Sequence, residues 1–217
     1  MKINILSKEK SVLLQYLAEI RDKDIQKDRM RFRRNIERIG EIMSYELSKT
    51  LSYQPAKVTT PLGEKETQLL AEDLIVCSVL RAGLPLHLGV LNYFDKADNA
   101  FISAYRKRNP RTNELEIDVE YFAGPDLQGK TLLLVDPMLA TGKSLLAVFN
   151  ALQKNGKPAK THILSIIASR EGIDFLEKQL NANVELWTAD IDPVLNEKAY
   201  IVPGLGDAGD LAFGPRV

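Results

Sequence analysis

The sequence predicts an α/β protein whose central sheet is mainly parallel and flanked by helices. From residue 68 onward, apolar runs of strand length alternate with segments of helical periodicity, a pattern typical of parallel sheets covered on both faces. The clearest unit runs from Thr131 to Ser144, where an apolar run ends at Asp136 and small residues open an apolar helix. Ligands of such sheets bind beyond the carboxyl ends of the strands, where this unit places its turn.

The composition predicts one globular domain, because the chain has 217 residues, of which 45% are hydrophobic and 27% are charged. Since 29 basic residues balance 29 acidic ones, no general attraction to nucleic acid or to an anionic membrane is expected. The start lacks the apolar segment of a signal peptide, and no run approaches the length of a membrane span. The single cysteine, Cys77, excludes an internal disulfide. We therefore expect a cytoplasmic protein.

Residues 1–57 of this domain are expected to form helices. Ser7 is predicted to cap the first helix, and a longer helix is predicted from about Asp28. The apolar faces of these two helices consist of Leu13, Leu17 and Ile20, and of Phe32, Ile36, Ile39, Met43 and Leu47. Acidic residues are interleaved with the arginines of the longer helix, which favours a solvated or subunit-facing surface over an RNA-binding one.

Residues 58–67 predict an extended arm, because Pro61 and Gly63 interrupt a short polar stretch. The α/β core is expected to occupy residues 68–217. Its predicted elements are, in order, the strand Leu74–Val79, the helix Leu84–Phe94, the strands Ala100–Tyr105 and Asp118–Phe122 on either side of a projecting hairpin tip at 107–113, the strand beginning at Thr131 and its helix, the strand His162–Ala168, the helix Gly172–Leu180 and the strand Val184–Ala189.

Residues 136–144, here called the cradle, combine features that suit a phosphorylated sugar. Free backbone N–H groups at the helix start, with the hydroxyls of Thr141 and Ser144, suit a phosphate. Asp136 at the strand end is placed to accept hydrogen bonds from sugar hydroxyls. An ordinary strand-to-helix turn would also explain these small residues.

The triplet Gly142-Lys143-Ser144 also matches the end of a nucleotide-binding P-loop. That motif requires a glycine five positions before its second glycine, and Pro137 occupies this position here. Because proline lacks an N–H group and has a fixed φ, the sequence disfavours a P-loop kinase.

Two further segments suggest contacts to a ligand. Arg81, followed by two small residues, suits an anion, although a surface arginine in a strand-to-helix turn is the simpler explanation. Residues 200–210, here called the glycine loop, expose backbone groups that suit a flat base. The apolar anchor before this loop and Phe213 after it argue against a flexible tail.

The segments L-R-A-G-L at 80–84, V-D-P-M-L-A-T-G-K-S at 135–144 and Y-I-V-P-G-L-G-D-A-G-D at 200–210 resemble the uracil phosphoribosyltransferases, which have the type I phosphoribosyltransferase fold. The likeness covers nearly the whole chain. It implies transfer of ribose 5-phosphate from phosphoribosyl diphosphate (PRPP) to uracil, giving UMP and diphosphate. It also implies Mg²⁺ bound mainly through PRPP and water, a homodimer or higher homo-oligomer, and in some members activation by GTP.

The resemblance also implies roles for individual residues. The implied PRPP site consists of Arg81, Arg106, Asp136, Pro137, Met138, Leu139, Ala140, Thr141, Gly142, Lys143, Ser144 and Asp207, and the implied uracil site of Ile201, Gly206, Asp207 and Ala208. Arg81, Asp136 and Asp207 are the expected catalytic residues. No protein-held metal cluster is expected, because His87 and His162 lie far apart without cysteine companions.

Three positions depart from the family pattern. Lys143 replaces a common glycine, Pro85 replaces a small residue, and Leu211 stands where many relatives have an arginine. The alternative to an enzyme is a regulatory protein of the same fold that binds RNA or nucleotides with little catalysis. The balanced charge argues against RNA binding, and the presence of Arg81, Asp136 and the Gly-Asp-Ala segment favours the enzyme.

Overall fold

The computed structural model describes residues 1–108 and 115–215, with only the backbone of residues 105–108 and 115–120. The strands are β1 (Lys2–Ile5), β2 (Tyr53–Thr60), β3 (Gly63–Leu70), β4 (Leu74–Leu80), β5 (Asp98–Arg108), β6 (Leu115–Ala123), β7 (Thr131–Val135), β8 (Met138–Leu139), β9 (Lys160–Ser169), β10 (Val184–Asp192), β11 (Val194–Leu195) and β12 (Ile201–Val202). The helices are α1 (Leu13–Arg21), α2 (Arg29–Ser48), α3 (Leu84–Leu91), α4 (Lys143–Leu152), α5 (Arg170–Gln179) and α6 (Ala208–Phe213).

The central sheet confirms the predicted fold class. Its strand order is β1-β10-β9-β7-β4-β5-β6, with β8 added to β9, and within the described residues only the β5–β6 pair is antiparallel. All residues of β7 are buried, as expected for a parallel strand covered on both faces. The carboxyl ends of β4, β7, β9 and β10 therefore lie along one edge.

The two faces of the sheet bury separate apolar clusters. Leu133 and Val135 of β7 point to the face covered by α1, α2 and α3, where Phe32, Ile36 and Ile39 are buried. The alternate residues of β7, Leu132 and Leu134, point to the face covered by α4 and α5. This alternation within one strand follows from the two-residue period of β structure.

Helices α2 and α3 pack closely because glycines occupy their contact. A Cβ atom at Gly89 would lie 2.1 Å from the carbonyl oxygen of Glu37, and one at Gly40 would lie 2.9 Å from that of Leu86. The close packing fixes α3, whose first residue, Leu84, follows the turn containing Arg81. The contact between the two helices thus helps to position a predicted site residue.

The N-terminal prediction was wrong in one respect. Residues 2–5 form β1, which pairs in parallel with β10 at the edge of the sheet. Ser7 lies in a 3-10 turn after β1 and donates a hydrogen bond from Oγ to Asp190 Oδ1 (2.9 Å) instead of capping α1. Helix α1 begins at Leu13, whose N–H donates to Ser11 Oγ (3.3 Å). A strand of four residues is too short to show a period of its own.

The arm is a two-stranded hairpin that is longer than the predicted stretch at 58–67. Strands β2 and β3 pair antiparallel from Tyr53 to Leu70, with Pro61 and Leu62 at the reversal. Most of its residues are exposed. The strands β5 and β6 also form the expected antiparallel pair, whereas residues 109–113 of its predicted tip lie outside the described residues.

The remaining predicted elements are present with shifted ends. Helix α3 ends at Leu91 instead of Phe94, and α5 begins at Arg170 instead of Gly172. Strands β9 and β10 extend to Ser169 and Asp192, beyond the predicted bounds. In the described part of the chain, no helix has both the length and the apolar character of a membrane span.

A buried histidine lies near the amino-terminal edge of the sheet, opposite the cradle. His162 is fully buried and accepts a hydrogen bond at Nδ1 from Trp187 Nε1 (3.1 Å). Burial, with a smaller contribution from Lys160, lowers the pKa of His162 to about 4, although Glu185 and Glu72 oppose the shift. Protonation would also remove the lone pair that accepts the Trp187 hydrogen bond.

We predict that His162 makes the stability of the fold depend on pH. Because the pKa of His162 is lowered in the folded state, its contribution to the free energy of unfolding is complete above about pH 6.5, the pKa of histidine in the unfolded chain. The contribution is lost as the pH falls toward 4, and it amounts to about 3 kcal/mol. The free energy of unfolding of the wild type should therefore fall relative to that of His162→Gln between pH 7 and pH 4, as measured by urea denaturation. A constant difference between the two proteins would contradict this prediction.

Candidate active site

A cavity of about 620 Å³ lies at the carboxyl edge of the sheet and joins the cradle to the glycine loop. The predicted site residues that line it are Asp136, Met138, Ala140, Ser144, Ile201, Gly206, Asp207 and Ala208. A smaller pocket of about 90 Å³ shares the four cradle residues of this set and adds Leu139, Thr141 and Gly142. Eleven of the predicted site residues therefore lie around one connected region, although they come from two distant parts of the sequence.

The cradle is shaped by a left-handed glycine immediately before α4. Gly142 has φ 75°, and a Cβ atom there would lie 2.9 Å from Phe175 and 3.0 Å from the carbonyl oxygen of Gly172. Only glycine fits both the backbone angle and the space. The first amide groups of α4 lack intrahelical acceptors and lie beside the smaller pocket, as expected for an anion site.

The carbonyl groups of the cradle accept hydrogen bonds that attach it to β9 and to the start of α5. The Pro137 carbonyl accepts from the N–H groups of Ile166 and Ile167, both at 3.0 Å. The Ala140 carbonyl accepts from Ser169 Oγ at 2.6 Å, and Ser169 Oγ accepts in turn from the N–H of Gly172 at 2.8 Å. Ser169 supports the site but was not predicted to do so, because its only local signal in the sequence is that of a helix cap.

Asp136 stands where the two cavities meet. It follows directly after β7 and is half-buried, and its Oδ1 accepts a long hydrogen bond from the Met138 N–H at 3.5 Å. Burial raises the pKa of Asp136 to about 7, against the opposing effect of the Met138 amide. A carboxyl with a raised pKa in a cleft is typical of a functional site.

Three predicted residues of the PRPP site line neither cavity within the described part of the chain. Pro137 contributes its carbonyl to β9, as described above, and Lys143 is an exposed first residue of α4. Arg81 donates from Nη2 to the Gly214 carbonyl at 3.2 Å and lies 3.6 Å from Asp210 Oδ1. Arg81 thus contacts both the end of the glycine loop and the segment that follows it. The side chain of Arg106 in β5 is outside the described residues.

The glycine loop is folded back on itself and ends at a helix cap. Gly204 has φ 56°, and a Cβ atom there would lie 2.1 Å from the carbonyl oxygen of Ile201. Asp207 caps α6, because its Oδ1 accepts from the Asp210 N–H at 3.0 Å. The Ala212 carbonyl near the end of α6 accepts from Arg33 Nη1 at 2.7 Å. These contacts hold the loop backbone at the cavity wall.

Two residues before the glycine loop also line the cavity without having been predicted. They are Lys198 and Ala199, next to Tyr200, the first residue of the loop. Asn196 Oδ1 accepts from the N–H groups of Lys198 and Tyr200, both at 3.0 Å, which fixes this turn. An asparagine that bonds backbone amides ahead of it is the only sequence signal for the turn.

Comparisons with known proteins agree over the whole chain. The family model described as "Uracil phosphoribosyltransferase" matches residues 7–215. The uracil phosphoribosyltransferase of Porphyromonas gingivalis is 50% identical over 217 residues, which is 100% of both chains. The structure of AQ2163 protein from Aquifex aeolicus aligns with a TM-score of 0.85 and 30% identity, covering 99% of each chain.

A more distant structure agrees in fold alone. It is the orotate phosphoribosyltransferase of Mycobacterium tuberculosis in complex with PRPP, with a TM-score of 0.53 and 13% identity over 87% of this chain and 95% of that one. The α/β architecture is thus that of the type I phosphoribosyltransferases. From the family match and the full-length similarity, we conclude that the chain belongs to the uracil phosphoribosyltransferase family.

Proposed function

We propose that the protein transfers ribose 5-phosphate from PRPP to uracil, giving UMP and diphosphate, as the family name describes. One observation carries the proposal: a single cavity joins a phosphate-sized pocket at the start of α4 to the glycine loop, with Asp136 between them. A phosphate, a sugar and a base in that order match the three parts of UMP.

In this proposal, the cradle holds the 5-phosphate and the ribose. The amides at residues 141–144 bind the phosphate oxygens, with the hydroxyls of Thr141 and Ser144 beside them. Asp136 accepts hydrogen bonds from the ribose hydroxyls, and its carboxylate form is the better acceptor. Arg81 and Arg106 are proposed to contact PRPP from its diphosphate side, for which Arg81 leaves Gly214 and Asp210.

Uracil is proposed to bind against Ile201 and the backbone of Gly206, Asp207 and Ala208. Its ring edge alternates donors and acceptors, and exposed backbone N–H and C=O groups can match such an edge. Ile201 is buried at the cavity wall and supplies apolar contact. The glycine loop thus selects uracil, whereas the cradle selects PRPP.

The reaction requires no nucleophilic side chain. The bond from C1 to the diphosphate oxygen breaks, the bond from C1 to uracil N1 forms, and the N1 proton is released. Positive charge develops on the sugar and negative charge on the leaving diphosphate, so that catalysis depends on alignment and on charge neutralisation. Asp136 and the glycine loop supply the alignment, and Arg81 supplies positive charge at the leaving group.

Phosphoribosyltransferases generally use Mg²⁺ with PRPP. In the described residues, no group of three or more His, Cys, Asp or Glu side chains could hold a metal alone. The accessible carboxylates of Asp207 and Asp210 border the cavity, and such oxygen donors suit a Mg²⁺ ion held mainly by PRPP and water. When bound, Mg²⁺ neutralises charge on the diphosphate.

We also propose a homodimer or higher homo-oligomer. The hairpin of β2 and β3 is mostly exposed, and an isolated two-stranded hairpin is marginally stable in water, so contact with a second copy would stabilise it. Activation by GTP and a cytoplasmic location stay expectations from the sequence analysis.

The regulatory RNA-binding alternative has little support in the charges on α2. Arg31 forms an ion pair with Glu19 at 2.9 Å, and Arg34 forms one with Glu37. Arg33 donates to the Ala212 carbonyl. Because these arginines already have partners within the chain, they offer little free positive charge to a nucleic acid backbone.

We predict that the purified protein forms UMP from uracil and PRPP with Mg²⁺, and that Asp207→Asn reduces the turnover number about 100-fold because a charge at the reacting end is lost. The fold should persist, since asparagine caps helices as well as aspartate does. Asp28→Asn is a matched control, because Asp28 caps α2 through the Arg31 N–H at 3.0 Å.

Cytosine, hypoxanthine and orotate should be poor substrates in place of uracil. A folded wild type that binds PRPP without using uracil would refute the proposed function.

We further predict that kcat/KM for PRPP falls below pH 7. Burial raises the pKa of Asp136 to about 7, so below that pH the carboxyl gains a proton and accepts the ribose hydroxyls poorly. The loss should approach about tenfold per pH unit. Asp136→Asn should be less active at every pH, and its kcat/KM should no longer fall below pH 7. This comparison separates the titration of Asp136 from the titration of PRPP itself. An unchanged fall in the variant would assign the titration to another group.

A further inference from the structure

A cluster of charged residues contacts the glycine loop without lining the described walls of the cavity. Arg21, the last residue of α1, donates from Nη1 and Nη2 to the two carboxylate oxygens of Asp192, at 2.8 and 2.9 Å. Nη2 also donates to Asp190 Oδ2 at 2.8 Å. The two aspartates lie at the carboxyl end of β10, and Ser7 Oγ donates a hydrogen bond to the other carboxylate oxygen of Asp190, Oδ1.

This cluster holds both polar groups of one loop residue. Arg21 Nη1 donates to the carbonyl of Gly204 at 3.0 Å, and Asp192 Oδ2 accepts from the Gly204 N–H at 2.9 Å. Gly204 lies two residues before Gly206, the first of five consecutive residues that line the cavity wall. The same two side chains thus fix the position of the loop backbone relative to α1 and β10.

The cluster is well buried, yet neither Arg21 nor Asp192 lines the described walls of the cavity. The side chains of Arg21 and Asp192 are 19% and 6% exposed. Ion pairs in such surroundings add little net stability, because desolvation offsets the attraction, but their paired hydrogen bonds define geometry closely. An effect on substrates would have to pass through the Gly204 backbone.

We propose that Arg21 and Asp192 are positioning residues for the acceptor base. They hold Gly204 so that the backbone groups of residues 206–208 meet the edge of uracil; this inference rests on the proposed function. Backbone groups that bind a base cannot change rotamer to restore their hydrogen bonds after the loop is displaced. A shift of about 1 Å is therefore enough to misalign the reacting groups. The cradle lies on separate supports, Ser169 and β9, so its own contacts to PRPP do not depend on the cluster, and of the proposed PRPP residues only Asp207 lies in the segment that the cluster positions.

The test separates acceptor binding from donor binding. Arg21→Lys keeps the charge but loses the two-pronged contact, and Asp192→Asn keeps the size but loses the charge. Each variant should raise the KM for uracil about tenfold, because the backbone of residues 206–208 is displaced, whereas the KM for PRPP, which the cradle mainly holds, should rise by less than about threefold. The double variant should raise the KM for uracil little more than the more impaired of the two single variants does, because both residues act through Gly204.

A matched control is Arg31→Lys, which disrupts a comparable two-pronged contact between α1 and α2. Arg31 donates from Nε and Nη2 to the two carboxylate oxygens of Glu19, both at 2.9 Å, and this pair does not touch the glycine loop. The control should leave both KM values unchanged.

Two outcomes would overturn the inference. One is a lower melting temperature in the Arg21 and Asp192 variants with an unchanged KM for uracil, and the other is an equal rise in both KM values. A wild type that is inactive with uracil would instead refute the proposed function.

Discussion

The parallel pairing of β4, β7, β9 and β10 is the constraint on which the rest of the structure depends. Parallel strands bring their carboxyl ends to one edge, and the chain must leave each strand there through a loop. At this edge the backbone of the cradle offers amides for a ligand, because the first N–H groups of α4 have no acceptor within the helix. The Arg21 and Asp192 cluster also depends on this edge, since Asp190 and Asp192 end β10.

Backbone groups, more than side chains, are available to hold the substrates at this edge. Gly142 and Gly204 both adopt left-handed angles where a Cβ atom would collide with neighbouring backbone or side-chain atoms. A surface built from backbone is rigid only if something else fixes it. Ser169 does so for the cradle, and Arg21 with Asp192 does so for the glycine loop. Among the side chains, Asp136 stands out because burial at the strand end raises its pKa to about 7.

The sequence predicts the parts of the molecule that depend on local pattern. The β7-cradle-α4 unit follows from an apolar run, an acid and small residues within a short stretch, and it lies where expected. Strand β1 has only four residues and gains its identity from pairing with β10, so no local pattern indicates it. The same limit applies to Ser169, whose hydrogen bond to Ala140 spans 29 residues, and to Arg21, which reaches Gly204 across 183. The hydrogen bond of Arg81 to Gly214 likewise follows only from the tertiary structure.

A crystal structure with UMP bound would test the central claim, that the cradle and the glycine loop form one substrate site. We expect the phosphate on the amides of residues 141–144, the ribose hydroxyls at Asp136, and the uracil ring against Ile201 and residues 206–208. A phosphate bound at Arg81 with the cradle empty, or a pyrimidine ring outside the glycine loop, would contradict it.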